Sequence, residues 1–255
     1  MWSSIKIIHK PETWAEAWRL SQAAGTAVLS GGTYLAAERD PVLEALVSLK
    51  SLLATDIEIA GTTIRLGAGV TLQELVDFAW PEAFQPVAEA ARASCSSKNI
   101  RNQRTLGGEI ANFRFNSELV LLLQALNPRL QIVQNTETET SLREWAGAGI
   151  IQAVMLDLSV IKKMVCLRYA PIPSAVPFLG VAGVAYSDGY RIVVGGNVSG
   201  VKALTFHATN FRSEEQSLVM EQAENALLAD HFGSRDYKRN LLQVALRRLG
   251  EALCQ

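Results

Sequence analysis

Apolar and polar positions along the chain alternate between two periods. Ile5–Ile8 is a short apolar run and predicts a strand. Pro11 to Trp18 opens a helix, with Pro near its first turn. Trp14, Trp18 and Ala15 share one face of it, as core residues at helical spacing do. Gly25–Ser30 is a turn into a buried strand, and Gly31-Gly32-Thr33 follows at once. Val42–Ser48 and Ile57–Ala60 predict strands, the second pairing with Thr63–Leu66 across Gly61-Thr62. Thr71 stands at an N-cap with Glu74 three residues on, the spacing of a capping box. Leu72, Leu75, Val76 and Ala79 give that helix its apolar face.

Further helices are expected over Val87–Ala93 and over Leu119–Leu126, the latter apolar nearly all round and therefore buried. Ser94 to Asn116 has little periodicity. Leu130–Val133 and Ile151–Leu158 read as strands, Asn135–Thr140 as an exposed turn, and Leu142–Trp145 as a helical turn. Three prolines between Tyr169 and Pro177 mark an edge or a boundary between substructures. Leu179–Tyr186 and Arg191–Val194 form a hairpin around Asp188-Gly189, and Ser213–Leu228 and Tyr237–Leu253 are helical with solvated charged faces.

Composition narrows the classes. The 255 residues are 49% hydrophobic and 19% charged, enough to bury a core in one large domain or two modest ones. Net charge is −1, without the basic excess of a nucleic-acid or membrane-surface binder. No apolar run is long enough for a membrane span, and the first residues do not read as a secretory signal. Cys95, Cys166 and Cys254 are single and far apart, which points to a reducing compartment and a cytoplasmic protein. Three thiols cannot hold an iron–sulfur cluster alone, and His9, His207 and His231 are equally scattered, so no metal site is expected. Gly196-Asn197-Val198-Ser199-Gly200 lacks the spacing of a nucleophile elbow, and no acid–base constellation stands out, so no catalytic residue is assigned.

Two diglycines carry the candidate chemistry: Ser30-Gly31-Gly32-Thr33-Tyr34-Leu35 and Thr105-Leu106-Gly107-Gly108-Glu109-Ile110. Neither has Rossmann or Walker spacing. Each exposes backbone N–H groups without side-chain obstruction, and two facing nests of that kind hold a pyrophosphate by its oxygens. Five basic residues against one acidic lie between Arg92 and Arg114. The bland alternative is a solvated basic loop in which the diglycines are only turns.

Leu29–Leu35 resembles the first flavin-binding segment, Ala-Gly-Gly-Thr-Asp/Asn-Leu, of the FAD-binding medium subunits of molybdenum hydroxylases, the carbon monoxide dehydrogenase and xanthine dehydrogenase type. Leu66-Gly67-Ala68-Gly69-Val70-Thr71 is similar to that family's strand-to-helix step, and Ile100–Asn112 to its second segment, Ile-Arg-Asn-x-Gly-Thr-Ile-Gly-Gly-Asn. Phe178–Ala185, Gly195-Gly196 and Arg235–Arg239 resemble its C-terminal domain, so the likeness spans essentially the whole chain.

The resemblance implies an α+β fold: a two-lobed FAD-binding domain of the vanillyl-alcohol-oxidase (PCMH) type over 1–160, with lobes of about 1–55 and 56–160, and a small α+β domain over 161–255. It implies FAD as cofactor and, as partners, a large molybdopterin-binding subunit and a small 2Fe-2S subunit, with electrons passing through FAD to an external acceptor. Ser30, Gly31, Gly32, Thr33, Tyr34 and Leu35 would wrap the pyrophosphate, which Thr105, Gly107, Gly108 and Glu109 would meet from the other side. Glu118 stands where the family has Asp and would contact the ribityl or adenosine part. Tyr34, Arg104 and Glu109 replace Asp/Asn, Gly and Asn. A carboxylate beside phosphates repels them unless it is paired or turned away. Arg101 and Arg104 are the nearest cations in sequence, and Arg104 can pair Glu109 or meet phosphate itself. A structural subunit of the same fold that has lost or weakened FAD binding is the alternative.

Overall fold

The computed structural model describes residues 4–113, 116–196 and 204–254. Arg114, counted above in the basic segment, and the stretch Asn197–Gly200 lie outside the described residues. In chain order the elements begin with β1 (Ile7–His9), α1 (Trp14–Ser21), β2 (Thr26–Leu29), α2 (Thr33–Glu38), β3 (Ala45–Ser48), β4 (Ile57–Ala60), β5 (Thr63–Gly67) and α3 (Leu72–Asp77). Then come α4 (Gln85–Ser94), α5 (Lys98–Arg101), α6 (Leu106–Asn112), α7 (Glu118–Leu126), β6 (Arg129–Val133), β7 (Glu137–Ser141) and β8 (Ile150–Asp157). The last are β9 (Ile161–Tyr169), β10 (Leu179–Tyr186), β11 (Tyr190–Gly196), β12 (Leu204–Ala208), α8 (Ser213–Glu224) and α9 (Arg235–Cys254).

The chain folds as two compact units: Met1–Glu74 with Ser97–Phe113 and Pro128–Asp157, and Leu75–Ser96 with Arg114–Asn127 and Leu158–Gln255. Two stretches ahead of residue 128 thus belong with the C-terminal part, which a linear division at residue 160 does not contain.

The first unit holds two sheets. In one, β1-β3-β2, the strands are parallel, with Ile8 opposite Leu46 and Val28 opposite Val47. Ala17, Val47, Leu49 and Ile150 form its core, with Trp14 and Trp18 packed against them. Thr13 caps α1, its hydroxyl accepting from the Glu16 N–H at 3.2 Å, so the helix starts at Trp14 and leaves Pro11 outside. The buried residue of α1 is Ala17, and Ala15 is exposed. The other sheet is antiparallel, in the order β4-β5-β8-β6-β7. The expected capping box is formed: Thr71 N–H donates to Glu74 Oε2 at 2.7 Å and Glu74 N–H to Thr71 Oγ1 at 3.2 Å.

The second unit is an antiparallel sheet, β12-β11-β10-β9, carrying helices. All nine residues of α7 are buried, and the helix packs on β10 where Gly180 leaves room for Leu121. The α7 C-terminus is tied down by Tyr186, whose hydroxyl donates to the Ala125 and Leu126 carbonyls at 2.7 and 2.9 Å, and by Arg191, which donates to Ala125 at 2.9 Å. Along α9, Lys238 is fully buried, with Nζ 2.6 Å from Asp230 Oδ2 and 2.8 Å from the Leu228 carbonyl.

Several elements depart from the periodicity. The first strand is Ile7–His9, two residues later than read. The polar segment 135–140 is largely a strand, β7, rather than a turn. Residues 161–169, given no element, form β9; 204–208 form β12; and the unpatterned stretch after Ser94 contains α5 and α6. The helix expected to reach Leu228 ends at Glu224.

Candidate functional site

Strand β2 delivers Ser30-Gly31-Gly32 to the start of α2. Gly32 is the N-cap at φ +72°, a left-handed conformation that glycine takes without a Cβ penalty. Gly31 sits hard against the backbone before the second diglycine: a Cβ there would lie 1.7 Å from the Gln103 carbonyl oxygen. A hydrogen bond of 2.8 Å joins the Ser30 and Thr105 hydroxyls. The two segments therefore converge.

The second segment is fixed from its other side by Leu66–Val70. Leu72 N–H donates to the Arg104 carbonyl at 2.8 Å, Leu106 N–H to Val70 at 2.7 Å and Gly107 N–H to Ala68 at 2.9 Å. A Cβ on Gly107 would stand 2.8 Å from the Ala68 Cβ, and one on Gly67 would stand 2.2 Å from the Ala54 carbonyl oxygen. These glycines serve close backbone approach. Thr105 caps α6 and accepts from the Gly108 N–H at 3.3 Å. Both amides of the second diglycine thus already have acceptors, and the expected pair of opposed N–H nests is not formed. Gly108 differs from the other three in having neither the positive φ of Gly32 nor a backbone neighbour like those of Gly31 and Gly107: a Cβ would meet only the Thr105 hydroxyl, at 3.0 Å.

Around this junction, wholly within the first unit, lies a cleft of about 330 Å³. Ser30 through Leu35, Arg104, Thr105, Gly107, Gly108 and Glu109 all line it. Val28, Leu49 and Leu53 supply an apolar wall, and Asn112 a polar one. Among the described residues, Arg104 and Glu109 are the charged side chains of the lining, and they pair, Nε to Oε2 at 2.5 Å, with 14% and 1% of their side chains exposed. Glu109 is thereby neutralised by Arg104, not by Arg101. Arg101 is buried, donates from Nε to Gln73 Oε1 at 2.9 Å, and does not line the cleft.

Glu118 belongs to the second unit and is also absent from the lining. It begins α7, buried, and pairs with Arg168, whose guanidinium also donates to the Pro173 and Ala175 carbonyls at 2.9 and 2.6 Å. Tyr34 lines the cleft while its hydroxyl donates to Glu38 one helical turn on. Asn112 is the site residue that sequence reading passed over. Its Nδ2 is buried without an acceptor. It falls one turn after Gly108 on α6, a relation visible only once that glycine-bearing segment is known to be a helix.

Comparison with known proteins places this geometry. Over 98% of both chains the fold matches that of the Cu,Mo-CO dehydrogenase at a TM-score of 0.79 and 19% identity. Quinoline 2-oxidoreductase from Pseudomonas putida 86 matches at 0.76 and 17%, over 98% of this chain and 96% of that one. The mixed helix-and-sheet fold of such oxidoreductase chains is thus the fold of this one. Residues 3–149 match the family model described as the FAD binding domain in molybdopterin dehydrogenase. Over 211 residues, 80% of this chain and 78% of the relative, the sequence is 30% identical to the uncharacterized protein YgfM of Escherichia coli K12. The chain belongs to the family of FAD-binding domains of molybdopterin dehydrogenases.

The residues present fit that cofactor's pyrophosphate region. Arg104 offers cationic donors, the orphaned Asn112 Nδ2 calls for an acceptor, and the missing side chain of Gly108 keeps the wall open where no close packing demands glycine. The first turn of α2, whose N-cap Gly32 provides no side-chain acceptor, adds backbone N–H groups. The volume stands at the small end of the roughly 300–1,000 Å³ of ligand sites, room for part of a dinucleotide and not the whole.

Proposed function

We propose that this chain is the FAD-binding, electron-transferring subunit of a molybdenum hydroxylase-type oxidoreductase. It works with a large molybdopterin-binding partner and a small 2Fe-2S partner, and electrons leave through it to an external acceptor. The observation that carries this reading is the meeting of the two diglycine segments at one cleft, joined by the Ser30–Thr105 hydrogen bond of 2.8 Å. Bound FAD supplies the exchange between one-electron and two-electron transfer. The chain's own part is to hold the cofactor and tune it. Ser30 to Leu35 and Arg104 hold phosphate oxygens, Asn112 donates from Nδ2, and Thr105 and Glu109 keep the neighbouring donors in place. Arg101 and Glu118 lie outside this cleft, each bonded within its own unit, and take no part in holding the phosphates there.

The three cysteines are free and too few for an iron–sulfur cluster, which supports a partner as cluster carrier. Substrate oxidation then belongs to the large partner, and the chain alone turns over no hydroxylase substrate. Among the described residues no helix is long and apolar enough to cross a membrane. One observation favours a second reading, a structural subunit without cofactor: the cleft's two charges cancel and the second diglycine's amides are spent.

Purification from the native source, a visible spectrum and identification of the released flavin separate the two. FAD bound in near-stoichiometric amount, with a large and a small chain co-purifying, is the expected result. A colourless protein that takes up no added FAD overturns the electron-transfer reading in favour of the structural one.

A further inference from the structure

We propose that Arg104, oriented by Glu109, is the residue by which this cleft selects flavins carrying a diphosphate tail over those without one. The inference rests on the FAD reading above and assigns the discrimination to one side chain. On the wall formed by α6 the backbone cannot hold an anion: Gly107 N–H is given to Ala68, Gly108 N–H to Thr105, and Glu109 N–H to the Thr105 carbonyl. Among the described residues the positive charge of the lining is Arg104. Its Nε is fixed on Glu109 Oε2 at 2.5 Å, and Glu109 is 1% exposed, so the guanidinium plane is set by a partner that itself has little room to move.

A guanidinium carries five N–H donors in a rigid fork, whereas a carboxylate takes two of them side by side. One arginine can therefore lean on Glu109 and reach a phosphate together. A lysine in its place is a single point charge and cannot do both with the same geometry. Glu109 is a positioning residue in this arrangement. Among the described residues it also balances the charge of the lining, so a ligand without phosphate gains little from Arg104.

Flavin-free protein is titrated with FAD and with riboflavin, following quenching of flavin fluorescence, for wild type, Arg104→Gln, Arg104→Lys and Glu109→Gln. Arg104→Gln is expected to weaken FAD at least tenfold and to leave riboflavin unchanged. Arg104→Lys is expected to restore only part of the loss. Glu109→Gln is expected to weaken FAD several-fold, again sparing riboflavin, and to make FAD binding more salt-sensitive. ADP should displace FAD from wild type and lose that ability in Arg104→Gln. Where Arg104→Gln does not fold, the Lys variant and ADP competition on wild type decide, since failure of ADP to compete overturns the proposal. FAD and riboflavin weakened by the same factor, or FAD binding untouched in folded Arg104→Gln, also overturns it. Wild-type protein that binds no flavin overturns the functional reading itself.

Discussion

Replacing Gly31 by Ala separates what the fold needs from what the cofactor needs. The new Cβ would stand 1.7 Å from the Gln103 carbonyl oxygen and 2.8 Å from its carbon, atoms of the backbone that cannot rotate aside. Either β2's exit or the 103–105 segment has to move by an ångström or more, and with it the Ser30–Thr105 bond. Overpacking of this kind costs about 1–3 kcal/mol where side chains can adjust, and the backbone contact puts Gly31→Ala at the upper end, about 3 kcal/mol. For a chain of this size that is roughly 6–12 °C in Tm. Gly108→Ala is the matched control. It meets only the Thr105 hydroxyl, at 3.0 Å, and an alanine suits a helix better than glycine, so its Tm should stay within about 3 °C. Its methyl narrows the cleft, however, and FAD affinity should fall about tenfold, about 1.4 kcal/mol. Differential scanning fluorimetry without flavin and fluorescence titration with FAD measure the two quantities. A Gly31→Ala protein that melts like wild type and binds FAD normally would refute the close-approach argument, as would a Gly108→Ala protein that loses stability but not affinity.

Thr71→Ala removes one half of the capping box at α3 and should cost about 1 kcal/mol, seen as a lowered urea midpoint with an unchanged slope. Lys238→Met takes the buried ammonium away from Asp230 at the start of α9 and should cost about 3 kcal/mol, whereas the double change Lys238→Met with Asp230→Asn should recover part of it. Burial, with Glu118 adding to it, pushes the Cys166 thiol far above its ordinary pKa, so it stays protonated and slow to react through pH 9. Native protein with a thiol reagent should accordingly show one fast site, the exposed Cys254, then the half-buried Cys166 slowly, and release the buried Cys95 only on unfolding.

Much of the architecture is legible where one face of an element is wet and the other dry. The hairpins at Gly61 and Gly189, the Thr71–Glu74 box and the apolar helix α7 all follow from local pattern and turn chemistry. The strands that escaped have no such pattern. β7 reads Glu-Thr-Glu-Thr-Ser, an edge strand exposed over its first three residues, and polarity at a sheet edge carries no period. In β9 the adjacent Lys162 and Lys163 break the alternation, and its ladder with β10 shifts register near Tyr186. α6 holds two glycines in its first turn and reads as a loop; it is a helix because Thr105 caps it and Gly107 lets it close on Ala68. The site was legible as two motifs. The Arg104–Glu109 pair is one of two pairings the sequence leaves open, whereas the junction of the motifs depends on a close approach of Gly31 to Gln103 that no local pattern encodes.

The division of the chain into two interleaved units has a consequence for its synthesis. The polypeptide leaves the first unit after Glu74, returns at Ser97, leaves again after Phe113 and returns at Pro128. Helix α7 is therefore made well before Leu179–Tyr186, the strand that covers it. At about 5–20 residues per second, its leucines wait several seconds on the ribosome with no sheet to lie on. A nascent chain stalled near residue 157 would carry a complete set of first-unit strands together with an uncovered greasy helix. Such a chain is a natural client for a holding chaperone, and a gene cut at that point should yield inclusion bodies rather than an isolated domain.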